Sequence, residues 1–518
     1  MKAVSGTQMH ELDQRTIREC GISGEHLMNT AGLLAGGVIL DWLTETGLGN
    51  PMPKIVVLAG KGNNGGDAFV VAKLLADMGY TVSLHCISHE SRLSGDALTM
   101  FQRLPMNLRC DVFYSLSKND LADSRTVVID GLLGTGFHGT LREPYRAWCA
   151  AVNRSGLPVI ALDIPSGLDA DSGKADPDAV IADLTVTMAA PKTGMFSAAG
   201  IHCTGLLRTV DIGIPAAFYS DLPDTQDCTG AQDVKNFLKR EDFDAHKYTR
   251  GHLFIAGGCR LYPGAPLLAS EAALRSGAGL VSCWLPEQAE FYASVPKALI
   301  VRRLPGSSGF FSAESAEALL PMLDKAGALV IGPGIGSEPG CADFVKRLLP
   351  LELPLLLDAD ALNLLSRHPE WVELLQARRK ATVLTPHAGE LKRLTDMLKL
   401  KSEDYSRAAL AVETAKRLNA YVVSKGARTL VTAPDGRCSV NLSGCPALAT
   451  AGTGDLLSGM TGAFLLNRQL NIFDAVRTAV FLHGYAAEQA APIGSRGWIA
   501  DDFPAWIGPA MRKLRVNA

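Results

Sequence analysis

The chain has 518 residues, 47% of them hydrophobic and 20% charged, with a formal net charge of −3. At roughly 100–200 residues per domain, this length requires at least two domains, and the near-neutral charge excludes the strongly basic proteins that bind nucleic acid or anionic membrane. No run of about 18 uninterrupted apolar residues is present to cross a bilayer, and the eleven cysteines form no C-x-x-C pair, so zinc-ribbon and disulfide-scaffold readings fail.

The N-terminal stretch MKAVSGTQMHELDQRTIREC is polar where a signal peptide needs an apolar core. The expectation is a cytoplasmic protein with reduced thiols and an unused sequon at Asn441.

Residues 55–69 read IVVLAGKGNNGGDAF, an apolar run that breaks into glycines, with Gly60, Gly62 and Gly65 spelling G-x-G-x-x-G between a strand and a helix. A dinucleotide fingerprint also requires an acid at the end of the next strand. That strand, TVSLHCIS, has none. A second reading is a purely structural turn. A third fits best: Asn63, Asn64 and Asp67 put side-chain oxygens on a helix N-terminus, which suits an oxygen-lined ligand or a hard cation.

Further on, Asp130 closes the strand TVVID, and ALDIPSGLD places Asp163 and Ser166 after another strand. Ligands of doubly wound sheets bind at such carboxyl ends. Asn64, Asp130 and Ser166 are expected to converge with backbone carbonyls on one monovalent cation, leaving Asp163 as an acid/base. Taken singly, each has a duller reading as a helix cap or turn former.

Strands alternating with amphipathic helices predict parallel sheets covered on both faces. The pattern loosens over 213–245, which is polar and rich in Pro, Asp and Gly. This places a boundary near 222 and gives domains 1–222 and 223–518.

The second half resumes with HLFIAGG, LVSCWLP, ALVIGPGIG, LPLLLDADALNLL, ATVLTPHAGE and AYVVSKGARTLVTAP. In ATAGTGDLLSGM, Gly452 and Gly454 open a helix whose free amides can hold a phosphoryl group. Asp455, in its first turn, is either a capping acid or a base. Asp358 and Asp360 in DADALN are candidates for a magnesium shell or for capping. No G-x-x-x-x-G-K-[ST] is present, so a P-loop mechanism is excluded.

NNGGD, DGLLGTGFHGT and DIPSGLDADSG resemble the epimerase domain of the bifunctional NAD(P)H-hydrate repair enzymes. HKYTRGHLFIAGG, GAPLLASEAALRSGAGLVS, GPGIG, DADALN, TPHAGE, SKGA and AGTGDLLSG are similar, in the same order, to the ribokinase-like NAD(P)H-hydrate dehydratases. Two residues depart from the pattern: Ala68 stands where a glycine is usual, and Asn29 where an acid is usual.

The resemblance implies an α/β protein, with an N-terminal Rossmann-like three-layer domain followed by a ribokinase-like α/β domain. It implies equilibration of the R and S epimers of NADHX and NADPHX, then dehydration of the S form to NADH or NADPH. Phosphorylation converts the C6 hydroxyl, a poor leaving group, into one that the ring nitrogen can expel.

The implied hydrate contacts of the first half are Asn63, Asn64, Gly65, Gly66, Asp67, Gly134, Thr135, Gly136, Phe137, His138, Gly139, Thr140 and Asp163, with Asn64, Asp130 and Ser166 on potassium. In the second half the implied hydrate contacts are Ala265, Gly334, His387 and Asp455, the last as base. The nucleotide falls to Lys425, Gly426, Ala427, Arg428, Thr429 and Gly454. Fusion of the two activities is the bacterial arrangement and implies ADP, with magnesium, as phosphoryl donor. A homo-oligomer with small-molecule substrates, and neither nucleic-acid nor membrane partner, completes the expectation. The rival is a small-molecule kinase joined to an N-terminal nucleotide-binding module.

Overall fold

Lys54–Ala59, Thr126–Gly131 and Val159–Leu162 are short runs rich in β-branched and aliphatic residues, and almost every residue in them is buried. Continuous rather than alternating hydrophobicity belongs to strands covered on both faces. The computed structural model, which describes residues 1–238, 242–290 and 294–516, shows that arrangement in two units, Met1–Asp227 and Cys228–Ala518. The division thus falls at 227–228 rather than 222, within the predicted polar stretch, of which residues 239–241 lie outside the described residues.

In the first unit six parallel strands lie in the order Thr81–Cys86, Lys54–Ala59, Thr126–Gly131, Val159–Leu162, Leu184–Met188, Leu206–Val210. The first of these strands in the chain, Lys54–Ala59, lies second from one edge; the chain adds Thr81–Cys86 outside it and then winds across the sheet in the other direction. This creates a switch point between Lys54–Ala59 and Thr126–Gly131, where loops leave the sheet in opposite directions.

Helix Gly24–Glu45 is long and apolar enough, by length and composition, to cross a membrane. Here it packs as a core helix: Leu27, Ala31, Ala35, Ile39 and Trp42 are buried. Gly32 and Gly36 let it press against Val70 and Leu74 of helix Asn63–Asp77, where a Cβ would collide.

The second unit carries seven parallel strands, Ile300–Leu304, Leu280–Pro286, His252–Ala256, Ala328–Ile331, Leu355–Leu357, Thr382–Leu384 and Tyr421–Ser424 in spatial order, then antiparallel Leu430–Thr432 and Cys438–Asn441. Alternate residues feed two cores. Leu329 and Ile331 join Phe254, Trp284 and Phe344 on one face, while Ala328 and Val330 join Leu253, Ile255 and Val423 on the other. Asn441 is a buried strand residue whose amide donates to Ser443 O at 2.9 Å, so its sequon offers no surface acceptor.

Candidate active sites

The glycines of the first loop answer to packing before they answer to a ligand. A Cβ on Gly60 would strike the Leu132 carbonyl, and one on Gly65 would strike the Gly60 carbonyl. Gly62, with open space beside it, caps helix Asn63–Asp77 and leaves the helix N-terminus accessible.

That helix start opens on a cavity of about 870 Å³ lined by Asn63, Asn64, Asp67, Gly134, Thr135, Gly136, Phe137, His138, Thr140 and Asp163. Gly65, Gly66 and Gly139 do not line it, and the first two meet instead the Gly60 backbone and Met28. Gly65 and Gly66 are thus closely packed behind the site.

Beneath the cavity, Asp130 is fully buried. Its Oδ1 accepts from Ser166 Oγ at 2.7 Å and Leu132 N at 3.1 Å, and its Oδ2 accepts from Ser166 N at 2.8 Å. Asn64 Nδ2 donates to the carbonyls of Leu133 and Leu162 at 2.8 and 3.0 Å, while Asn64 Oδ1 is buried with no partner among the described residues. The three residues expected to meet therefore do meet, around carbonyls contributed by two strand ends.

Asp163 holds a left-handed backbone (φ +60°), a conformation that non-glycine residues adopt under tertiary constraint. Its Oδ1 accepts from Met188 N at 3.1 Å and Thr187 Oγ1 at 3.2 Å, and it pairs with the Lys192 ammonium. Lys192 is fully buried and also donates to Thr187 Oγ1 and Met188 O at 2.9 and 3.1 Å.

Sequence reasoning missed Lys192 and the cavity residues His10 and Asp13. None carries a local motif, since a lysine in APKTG and an acid on a polar helix read as surface groups. Burial drives the Asp67 carboxyl well above its ordinary range, reinforced by Asp163 and Asp13. His138, rim-exposed, bonds Asp169 Oδ2 at 2.8 Å through Nδ1.

In the second unit the predicted residues gather at the carboxyl ends of parallel strands. Helix Thr453–Phe464 starts from Gly452 (φ +93°), with Asp455 in its first turn. Burial raises Asp455 to about 7; Asp358, Asp360 and Glu390 add to the rise and Lys425 opposes it. Lys425 reaches from the end of Tyr421–Ser424 to within 2.9 Å of Asp358 Oδ1, and a Cβ on Gly454 would lie 3.5 Å from its ammonium.

Asp358 Oδ2 accepts from Ser458 Oγ at 2.6 Å, so both its oxygens are engaged. Asp358 thus orients Lys425. Asp360 Oδ2 takes Gly336 N at 2.9 Å. Gly334 sits against Ala265, where a Cβ would approach the Ala265 Cβ at 3.2 Å, so these two predicted contacts share one wall.

His387 caps helix Ala388–Met397, its Nδ1 accepting from Gly389 N at 3.0 Å and Glu390 N at 3.4 Å, and burial and Lys425 lower its pKa. The loop Lys425–Thr429 is shaped by Arg407, which donates to Ala427 O at 3.0 Å and Ser424 O at 3.2 Å, and by Thr429 Oγ1 on Gly426 O at 2.8 Å. The Arg428 guanidinium turns inward and donates to Leu442 O at 2.7 Å.

His483 was also missed. It sits within the helix Ile472–Ala490, bonds Thr453 O at 2.9 Å through Nε2, and is lowered by burial to about 4.

Residues 253–502 match the model of the NAD(P)H-hydrate dehydratase family, and residues 24–194 that of the YjeF-related protein N-terminus. The chain is 37% identical over 520 residues to the bifunctional NAD(P)H-hydrate repair enzyme Nnr of Salinibacter ruber, covering 96% of this chain and 93% of that one. It is 33% identical to the corresponding Nnr of Moorella thermoacetica, over 99% and 97% of the two chains. Among solved structures, an ADP/ATP-dependent NAD(P)H-hydrate dehydratase from Bacillus subtilis, co-crystallized with ATP/Mg2+, matches 56% of this chain and 99% of its own at 26% identity and a TM-score of 0.43.

Proposed function

Because this chain belongs to the family of bifunctional NAD(P)H-hydrate repair enzymes, we propose that it restores hydrated nicotinamide cofactors in two steps on two sites. The first unit equilibrates the R and S epimers of NADHX and NADPHX. The second dehydrates the S epimer to NADH or NADPH, with ADP as phosphoryl donor and AMP and phosphate as by-products.

The observation that carries this reading is Asp455 at the opening of helix Thr453–Phe464, with the Lys425 ammonium beside Gly454. The carboxylate accepts the proton of the C6 hydroxyl as that oxygen attacks the terminal phosphorus. The amides of the helix start, together with Lys425, hold the transferred group. The ring nitrogen then expels phosphate, and loss of the C5 proton restores the double bond. Asp358 contributes by fixing Lys425. Magnesium, when bound with the nucleotide, would supply positive charge at the transferred phosphate, and no step is assigned to it.

In the first unit Asp163, kept in place by Lys192, exchanges protons with the hydrate. The donor set fits potassium: buried Asn64 Oδ1 lacks a partner, and turning that amide would face it toward two carbonyls, an oxygen array that a cation can bridge. Asn64, with the carbonyls of Leu133 and Leu162 and the Asp130–Ser166 brace, would hold the ion. When bound, it would supply a fixed positive charge under the cavity floor.

The test is incubation of mixed R and S hydrates with magnesium, potassium and either ADP or ATP, following the absorbance of the reduced cofactor. Full conversion with ADP, fast for the S fraction and slower for R, is expected. Conversion that stops at the S fraction would remove the epimerase assignment, and conversion with ATP alone would remove ADP. A stable phosphorylated product would make the second unit a kinase.

A further inference from the structure

The cavity of the first unit is closed by a helix outside the matched family segment, which begins at residue 24. Val4 is stitched to both sides of Lys192, through Val4 N to Pro191 O at 2.9 Å and Thr193 N to Val4 O at 3.0 Å. Ser5 then caps helix Gly6–Cys20, and Gly6 N donates to Asp171 Oδ1 at 2.5 Å. Arg15 anchors the outer face on Asp221 at 2.8 Å and over the Phe218 ring. So fixed, the helix turns His10, Asp13, Gln14 and Ile17, spaced three, four and seven residues from the first, toward the cavity.

Asp13 thereby joins Asp67, Asp163 and Lys192 on the lining of one cavity, where Lys192 pairs directly with Asp163. Burial, reinforced by the neighbouring Asp163, pushes both the Asp13 and the Asp67 carboxyl toward the protonated form. Asp67, also on the cavity lining, is buried, whereas Asp13 is only half-buried and can exchange its proton with solvent. Among the described residues no hydrogen-bond donor engages the Asp13 carboxyl, which faces Lys192 and His10 electrostatically.

We propose that Asp13 is the second proton carrier of the epimerase cavity, giving a proton to the ring nitrogen of the hydrate while Asp163 takes one from the C6 hydroxyl. The inference rests on the assignment of epimerisation to this unit. The O–H electron pair becomes the second bond of an aldehyde, the C6–N1 bond breaks, and its pair on nitrogen is protonated by Asp13. Rotation about C5–C6 turns the other face of the aldehyde to the nitrogen, and closure reverses both transfers. Protons and electrons balance with no co-reactant.

The Asp13 carboxyl is raised to about 6 by burial, opposed by Lys192 and His10 and reinforced by Asp163. The groups that face it are His10 on its own helix, Asp67, Asp163, Lys192 and, behind, Tyr219. The acid acts only while protonated, so the epimerisation rate of the parent should fall as pH rises past that value.

The experiment is the pH profile of epimerisation for the parent, Asp13→Asn, Asp13→Glu and Asp67→Asn, with dehydration of pure S hydrate as the measure of intact second units. Asp13→Asn should lose about 10²–10⁴-fold in rate and its residual rate should lack the alkaline fall. Asp13→Glu should regain part of the rate together with the fall. An Asp13→Asn protein that keeps the parental rate, or keeps the alkaline fall that Asp67→Asn loses, overturns the assignment. So does uptake of solvent oxygen at C6 in every turnover, which would mean that hydroxide leaves instead of the ring opening. A parent that dehydrates but does not epimerise would instead remove the reading of the whole unit.

Discussion

Asp455 shows how one side chain is tuned by position. Its carboxyl, raised to about 7, is a stronger base than an exposed aspartate, and it works only when ionised. Dehydration should therefore fall as pH drops below about 7. Asp455→Asn should still bind ADP but lose dehydration by about 10²–10⁴-fold in single-turnover assays with saturating nucleotide. Its stability should move in the opposite direction. A carboxyl whose folded pKa lies above the unfolded value of 3.8 loses stabilisation as pH rises between the two values. The Asn variant should thus melt higher than the parent at pH 8, with the difference shrinking toward pH 4. A melting difference that does not change with pH would place the raised pKa elsewhere.

Among elements, the helices Ala265–Arg275 and Thr453–Phe464 cross where a Cβ on Gly459 would strike the Ala269 carbonyl. The close approach brings Ala265, on the proposed hydrate wall, and Asp455 toward one site. Gly459→Ala forces the helices apart, and overpacking of this kind costs about 1–3 kcal/mol. The second unit should melt several degrees lower and dehydrate more slowly even below its melting range. Epimerisation at the same temperature should be unchanged. Unaltered dehydration would show that the crossing does not set the site geometry.

At the scale of the molecule, each proposed set of reacting residues lies within one unit: Asp163 and Asn64 in Met1–Asp227, Asp455 and Lys425 in Cys228–Ala518. The activities should therefore fail independently. Asp163→Asn should abolish epimerisation while dehydrating pure S hydrate at the parental rate, because an amide cannot shuttle protons. Epimerisation, measured with potassium, sodium or a bulky organic cation, should be fastest with potassium. Equal rates in all three would remove the ion from the Asn64 site.

Much of this was legible in the chain itself. The strand runs, the glycine loops and the order of DGLLGTGFHGT, DIPSG, TPHAGE and AGTGD depend on local backbone geometry and residue type, which a one-dimensional pattern records. The convergence of Asn64, Asp130 and Ser166 followed from strand ends alone. What only the tertiary structure decided are the pairings between distant segments. Lys192 reads as an ordinary lysine until burial sets it against Asp163, and Asp13 reads as a surface acid until Val4 docks its helix over the cavity. Arg428 reads as part of the nucleotide loop Lys425–Thr429, and the fold adds that its guanidinium bonds Leu442 O. Gly65 and Gly66 read as ligand contacts, and the fold adds their close approach to Gly60 and Met28. Burial and charge proximity arise when segments far apart in sequence come together, so no local stretch of sequence encodes them.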